Sequence, residues 1–167
     1  MKATHIVYTS LTGFTARYAA ILAEKTGLPA LPLAEALSCL PKGTPIIYMG
    51  WLMAGSVKDC KKAAKHFSTQ AVVGVGLGDT GAQDAGARKA CKLPAAVPVF
   101  TVQGGMDHAK LQGGYKVGIS ILTKVMAAKK NRTPDEDRMV ALLQKGGDYV
   151  SEKELAAVLN WYSTANK

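Results

Sequence analysis

Three hydroxyl side chains, Ser10, Thr12 and Thr15, surround Gly13 in a short turn near the start of the chain. The apolar residues 6–8 predict a strand before the turn, and apolar residues at helical spacing predict a helix after it. Such a turn offers free backbone N–H groups and the positive end of a helix dipole, which together favour an anion. No Lys or Arg lies inside the turn, so neutral donors would hold that anion. The alternative is that the hydroxyls only cap the helix.

Two further segments follow apolar runs, residues 45–49 and residues 71–75, that are typical of buried strands. Because strands alternate with helices, we expect parallel strands whose carboxyl ends meet at one rim of the sheet. Ligands of such sheets bind beyond that rim. The loops expected there are Gly50, Trp51, Leu52, Met53, Ala54 and Gly55 in one segment, and Gly76, Leu77, Gly78, Asp79, Thr80 and Gly81 in the other.

The order of the elements predicts a single domain over residues 1–167, built as an α/β fold with a doubly wound, five-stranded parallel sheet and helices on both faces. Two prolines restrict residues 28–33 to an edge strand. Ser56 is expected to cap the helix after the second loop. After Gly105 the pattern changes to an extra helical segment, with an apolar, lysine-bearing helix over about residues 115–130. Further helices are predicted to start at Thr133 and, through a capping box with Glu154, at Ser151.

The composition is basic, with 21 Lys and Arg against 12 Asp and Glu among 167 residues and a net charge of +9. This balance favours anionic partners, but the sequence has no nucleic-acid-binding motif, and we expect no nucleic acid among them. The three cysteines are scattered without CxxC spacing, which argues against a disulfide framework and against a metal site. No segment is typical of a signal peptide or of a membrane span. The sequence therefore predicts a cytoplasmic protein.

Residues 10–15, Ser-Leu-Thr-Gly-Phe-Thr, resemble the phosphate loop of flavodoxins, [ST]-x-T-G-x-T, which directly follows the first strand. The resemblance implies a sheet of strand order 2-1-3-4-5 and an FMN cofactor whose phosphate lies in this loop. The implied cofactor-binding residues are Ser10, Leu11, Thr12, Gly13, Phe14, Thr15, Trp51, Leu52, Met53, Ala54, Gly55, Gly76, Leu77, Gly78, Asp79 and Gly105. Backbone N–H groups near Gly78 and Asp79 would bind the pyrimidine edge. Trp51 either stacks on the flavin or packs in the core, leaving residues 52–54 against the ring.

The late segment, with Gly104, Gly105, Asp107 and Leu111 before a lysine-bearing helix, resembles the flavodoxin-domain branch of the menaquinone-dependent protoporphyrinogen oxidases. Phe14 and the short loop at Trp51 depart from that pattern. The resemblance implies a redox protein, either an enzyme acting on an anionic, apolar substrate or an electron carrier with a redox partner. A flavin-free binding module is the contrasting class. The lysines of this segment also suit peripheral contact with an anionic membrane; the alternative is a docked helix whose lysines are only solvated.

No residue is assigned as catalytic from the sequence. His108 beside Asp107 is the best candidate for an acid/base pair, and a surface loop histidine is the alternative. Cys60 occupies an apolar position of a predicted helix, which favours a core residue over a nucleophile.

Overall fold

The computed structural model describes residues 2–165, in which strands and helices alternate up to residue 103 except for one hairpin within residues 45–57. The strands are β1 His5–Thr9, β2 Ala30–Pro32, β3 Pro45–Met53, β4 Ser56–Val57, β5 Ser68–Gly76, β6 Val99–Gln103, β7 Gly105–Met106 and β8 Gly147–Asp148. The α-helices are α1 Phe14–Thr26, α2 Leu33–Cys39, α3 Cys60–His66, α4 Asp84–Cys91, α5 Gly113–Ala128, α6 Pro134–Lys145 and α7 Ala156–Ala165. Short 3₁₀ turns occupy His108–Lys110 and Glu152–Leu155.

The main sheet is mostly parallel, which confirms the predicted α/β class. Its parallel strands lie in the order β2-β1-β3-β5-β6, and β4 pairs antiparallel with the end of β3. The sheet therefore has six strands, whereas the sequence predicted five. β7 and β8 form a separate two-stranded sheet that joins the start of the late segment to its end.

Helices cover both faces of the main sheet, because successive residues of a strand point to opposite sides. Ile47 and Met49 of β3 lie in one buried cluster with Tyr18 of α1 and Val158 of α7. Ile46 and Tyr48 of β3 lie in the other, with residues of α2, α3 and α4. The carboxyl ends of β1, β3 and β5 border a cleft outside the sheet. These ends are where a ligand of such a sheet is expected.

Strand β3 continues past Gly50, so the predicted loop over residues 50–55 is wrong. A Cβ at Gly50 would lie 2.7 Å from the Lys58 carbonyl oxygen and 2.8 Å from the Val57 side chain, so glycine lets β4 fold back closely here. Ala54 and Gly55 form the two-residue turn, with φ of 50° and 74°. Positive φ at both central positions is the geometry that suits the twist of a two-residue hairpin.

Ser56 belongs to β4, so its predicted role as a helix cap is also wrong; Asp59 precedes α3 instead. The capping box predicted at Ser151 is wrong for a different reason. The Glu154 carboxylate accepts a hydrogen bond from the Thr80 hydroxyl rather than from the backbone at Ser151. By contrast, Gly27 ends α1 with a φ of 71°, and Thr133 opens α6 with a complete capping box, as predicted.

Among residues 2–165, no helix has both the length and the apolar content that crossing a bilayer requires.

Candidate functional site

An apolar cleft of about 160 Å³ opens at the carboxyl ends of β1, β3 and β5. The turn after β1, the β3–β4 hairpin and the end of β5 come together there, as the predicted parallel sheet requires. The sequence-predicted residues that line the cleft are Ser10, Leu11, Thr12, Phe14, Thr15, Trp51, Leu52, Met53, Ala54, Gly55, Gly76, Leu77 and Gly105.

Three sequence-predicted residues do not line this cleft. Gly13 faces a second hollow beside the same turn. Gly78 lies against the side chain of Gln83, since a Cβ there would come within 3.5 Å of the Gln83 amide. The Asp79 carboxylate accepts a hydrogen bond from Arg138 Nη2 at 2.8 Å. Gln83 itself borders the cleft and was missed by sequence reasoning, because a glutamine at the start of a weak helix carries no distinctive pattern.

The three hydroxyls of the turn at residues 10–15 have different surroundings. Ser10 Oγ accepts a hydrogen bond from the Ala16 N–H at 3.3 Å, so this side chain stabilises the turn itself. Thr15 is buried in the first turn of α1, with 2% of its surface exposed. Thr12 is half-buried and makes no side-chain hydrogen bond to any residue that the structure describes. Of the three, Thr12 is therefore the hydroxyl best able to bind a ligand.

The second hollow, which we call the basic hollow, lies beside Gly13 and measures about 450 Å³. The ionisable side chains that line it are Arg17, Asp107, His108, Lys110, Lys145 and Asp148. A Cβ at Gly13, which has a φ of 98°, would lie 3.9 Å from Lys110 Nζ. The turn contains no cation, as the sequence shows, but the fold brings one from about a hundred residues away. Lys110 therefore adds a cation beside the neutral donors of the turn.

Two carboxylates partly balance the charge of the basic hollow. Asp107 pairs with Lys110 at 3.5 Å, and Asp148 accepts a hydrogen bond from Arg17 Nη1 at 2.5 Å. The Arg17 guanidinium beside Asp148 lowers the pKa of that carboxyl, with a smaller contribution from the Val150 N–H. Lys145 has no ion pair within residues 2–165. A net positive charge therefore remains beside the turn.

Trp51 lies within β3, but its side chain borders the cleft and belongs to neither buried cluster of the sheet. Its ring meets the ring of Tyr115 edge to face, with centroids 5.4 Å apart and planes at 85°. Leu52, next in the strand, packs instead over the backbone of β5, close to Gly74 and Gly76. The alternative in which Trp51 packs in the core is therefore not the arrangement found.

The extra helical segment forms the outer wall of the cleft. Its lining residues are Met106, Leu111, Tyr115, Ile119, Leu122 and Met139. Tyr115, Ile119 and Leu122 follow one another at spacings of four and three on α5, which places them on one face of the helix. That periodicity was visible in the sequence, but no local signal showed which surface the helix would cover.

No acid/base pair forms at His108. The histidine is exposed, and the Asp107 carboxylate accepts from the Ala109 N–H at 3.0 Å and pairs with Lys110. Cys60 is buried beside Cys91, whose thiol, together with burial, raises the pKa of Cys60. The prediction that Cys60 is a core residue is confirmed. Within the described chain, no group of three or more His, Cys, Asp or Glu side chains could hold a metal ion.

Comparison of the chain with protein-family models, with curated proteins and with solved structures found no match. Function must therefore be argued from the site. The apolar cleft and the basic hollow both include Thr12, Phe14 and Met106, so they adjoin at the turn that opens α1. This arrangement suits a ligand with an apolar, flat portion and an anionic end.

Proposed function

We propose that this chain is a flavodoxin-like protein that binds FMN and takes part in redox chemistry. The observation that carries the proposal is the junction of an apolar cleft and a basic hollow at the turn of residues 10–15. The order of the parallel strands, β2-β1-β3-β5-β6, supports the same assignment, because it becomes 2-1-3-4-5 when the short hairpin strand β4 is not counted.

The phosphate of FMN would bind at the turn and its basic surroundings. Thr12 offers a hydroxyl that bonds to none of residues 2–165, and the first turn of α1 offers backbone N–H groups at the positive end of the helix dipole. Lys110 adds a cation beside Gly13. A charged donor strengthens a hydrogen bond to phosphate relative to a neutral one.

The ring system would bind in the apolar cleft. Trp51 of β3 and Tyr115 of α5 supply aromatic surface, and Leu77 supplies aliphatic surface where the third loop begins. The Gln83 amide is a polar group that could bind the pyrimidine edge, in the role expected for the backbone near Gly78 and Asp79. Gly105 is required by packing as well as by any contact with the cofactor. A Cβ there would lie 2.3 Å from the Gly147 carbonyl oxygen and 2.5 Å from the Phe14 ring.

The cleft must widen to accept a flavin, because pockets for cofactors measure about 300–1,000 Å³ and this one about 160 Å³. Helix α5 is the wall that can move at least cost. None of its residues is buried, so its displacement exposes little of the core. The same helix would cover the face of the ring for which the third loop has no aromatic residue.

When bound, FMN would supply the redox chemistry, and the protein would bind and orient it and limit the access of water. An enzyme acting on an anionic, apolar substrate is the version that the net charge of +9 favours, because a basic surface attracts an anionic substrate. An electron carrier of net charge +9 would instead need an acidic redox partner.

The test compares FMN with riboflavin, which has the same ring but no phosphate. Thr12→Ala and Lys110→Gln should each weaken FMN about tenfold or more, because a hydrogen bond to a charged group is worth about 1.5–3 kcal/mol. Riboflavin affinity should not change. Lys89→Gln, an exposed lysine of α4, is the matched control. Equal losses for both ligands, or FMN affinity unchanged in both variants, would contradict the proposed phosphate site.

A further inference from the structure

The outer face of α5, opposite the cleft, exposes an apolar stripe. Val117, Ile121 and Val125 follow one another at intervals of four residues and keep 60%, 58% and 65% of their surface exposed. Exposed apolar residues are ordinary when scattered singly, but a continuous stripe on one element marks an interaction surface. The packing of the domain does not explain this stripe.

The apolar surface extends onto the β3–β4 hairpin. Met53, at the tip of β3, is 50% exposed and shares a shallow hollow with Gly114 and Gly118 of α5. Neither glycine has a neighbouring atom that would obstruct an added Cβ, so they are not required for packing within the domain. The hairpin tip and the helix together form one face.

The chain segment that contains α5 is basic. Between Asp107 and Asp135 the chain contains six Lys or Arg residues and no Asp or Glu. Lys129 and Arg132 pair with carboxylates of α6, whereas Lys116 and Lys124 have no ion pair with any described residue. Lys124 lies two turns after Val117, on the same side of the helix.

We propose that the outer face of α5 docks on the surface of an anionic phospholipid bilayer. An apolar stripe on a lysine-bearing helix is typical of a helix that lies in the membrane interface, with aliphatic side chains among the acyl chains and ammonium groups near the lipid phosphates. A second copy of the chain fits less well. Joining two such faces would bring together lysines of the same sign on molecules that each carry +9.

Vesicle sedimentation tests this docking and requires no ligand in the cleft, so its outcome is independent of the FMN proposal. The probe is a vesicle of equal parts phosphatidylglycerol and phosphatidylcholine, compared with phosphatidylcholine alone. We expect binding to the anionic vesicle at low salt and its loss at high salt. Lys116→Gln with Lys124→Gln should weaken binding more than tenfold, since each lysine near such a surface contributes about fivefold.

The apolar contribution is tested by Ile121→Gln with Val125→Gln, which should also weaken binding at least tenfold. Both side chains are exposed, so circular dichroism should show an unchanged fold. Lys61→Gln with Lys65→Gln is the control, because it removes the same charge from exposed positions of α3. Three results would overturn the proposal: no sedimentation with anionic vesicles, an equal loss in the α3 control, or a dimer in solution that the α5 glutamines dissociate.

Discussion

The indole of Trp51 stands where the end of β3 meets the cleft, with Tyr115 edge-on to it. If the flavin ring binds in this cleft, FMN should strongly quench the fluorescence of Trp51. Trp51→Ala should weaken FMN and riboflavin alike, because it removes ring contact rather than phosphate contact. The fold should remain, since the side chain lies outside both cores of the sheet.

The chain has one other tryptophan, Trp161 of α7, whose ring lies 6.2 Å from that of Phe100. Trp161→Phe therefore isolates the signal of Trp51 and serves as the matched variant for a fluorescence titration. Quenching that persists in Trp51→Ala and disappears in Trp161→Phe would place the ring elsewhere.

Buried Tyr18 should make the free energy of unfolding depend on pH. Its side chain is fully buried and its hydroxyl donates to the Gln103 carbonyl oxygen. Burial, with a smaller effect of Glu154, raises the pKa of Tyr18 to about 12. An unfolded tyrosine loses its proton near pH 10, so between pH 10 and 12 the folded state binds more protons than the unfolded state. The free energy of unfolding should therefore be fully present below pH 10 and fall as the pH rises towards 12.

Tyr18→Phe should make that fall shallower while lowering the free energy of unfolding at neutral pH by about 1 kcal/mol, because the Gln103 carbonyl loses its partner. Burial raises the pKa of Tyr48 as well, so part of the slope should remain. Urea unfolding at several pH values measures both effects, with Tyr149→Phe at the surface as the baseline. A slope identical to that of the wild type would show that Tyr18 does not contribute.

At the scale of elements, an ion pair of Arg138 joins helix α6 to the rim of the sheet. Arg138 of α6 donates to Asp79, in the loop after β5, and to Asp135 on its own helix. We expect Arg138→Gln to release α6 from that loop and so to speed the dissociation of FMN a few-fold, without changing the fold. Stopped-flow fluorescence measures the rate.

Lys25→Gln is the control for Arg138→Gln, because it breaks an ion pair of similar length, 2.8 Å to Glu152, away from the cleft. An equal change in both variants would mean that the effect is general rather than local. No change in either would mean that α6 does not restrain the wall of the cleft.

The elements that the sequence predicted well are those with strong local signals. Helix α1 ends at Gly27 because glycine adopts positive φ without steric cost, and α6 begins at Thr133 and Pro134 with its capping box. The β3–β4 hairpin was missed because its turn uses Ala54 at a φ of 50°, where Asn or Gly would be the recognisable residue. The close approach of β4 to Gly50 depends on contacts with Val57 and Lys58, and no local sequence pattern predicts those contacts.

In the candidate site, too, the residues with local sequence signals were predicted and those placed by tertiary packing were not. The turn at residues 10–15 and the Gly-rich ends of β3 and β5 could be placed at one rim from the alternation of strands and helices alone. Lys110 and Gln83 could not, because their proximity to the rim depends on how the late segment and α4 pack. Glu154 was misassigned because its partner, Thr80, is distant in sequence.

At the scale of the whole molecule, the positive charge lies close to both proposed binding surfaces. The chain carries +9, and the late segment places part of that charge beside the turn at residues 10–15 and part beside an exposed apolar helix. Long-range attraction of this kind raises the rate at which anions arrive and weakens with added salt. The same electrostatic attraction would favour the binding of both proposed anions, a phosphate in the basic hollow and phospholipid at α5.

The most direct test of the central claim is a titration of the purified, ligand-free protein with FMN, followed by the fluorescence of both the flavin and Trp51. We predict saturable binding of one FMN per chain, quenching of Trp51, and an affinity for FMN at least tenfold above that for riboflavin, because only FMN reaches Thr12 and Lys110. Absence of saturable FMN binding by the folded protein, or equal affinity for the two ligands, would contradict the account.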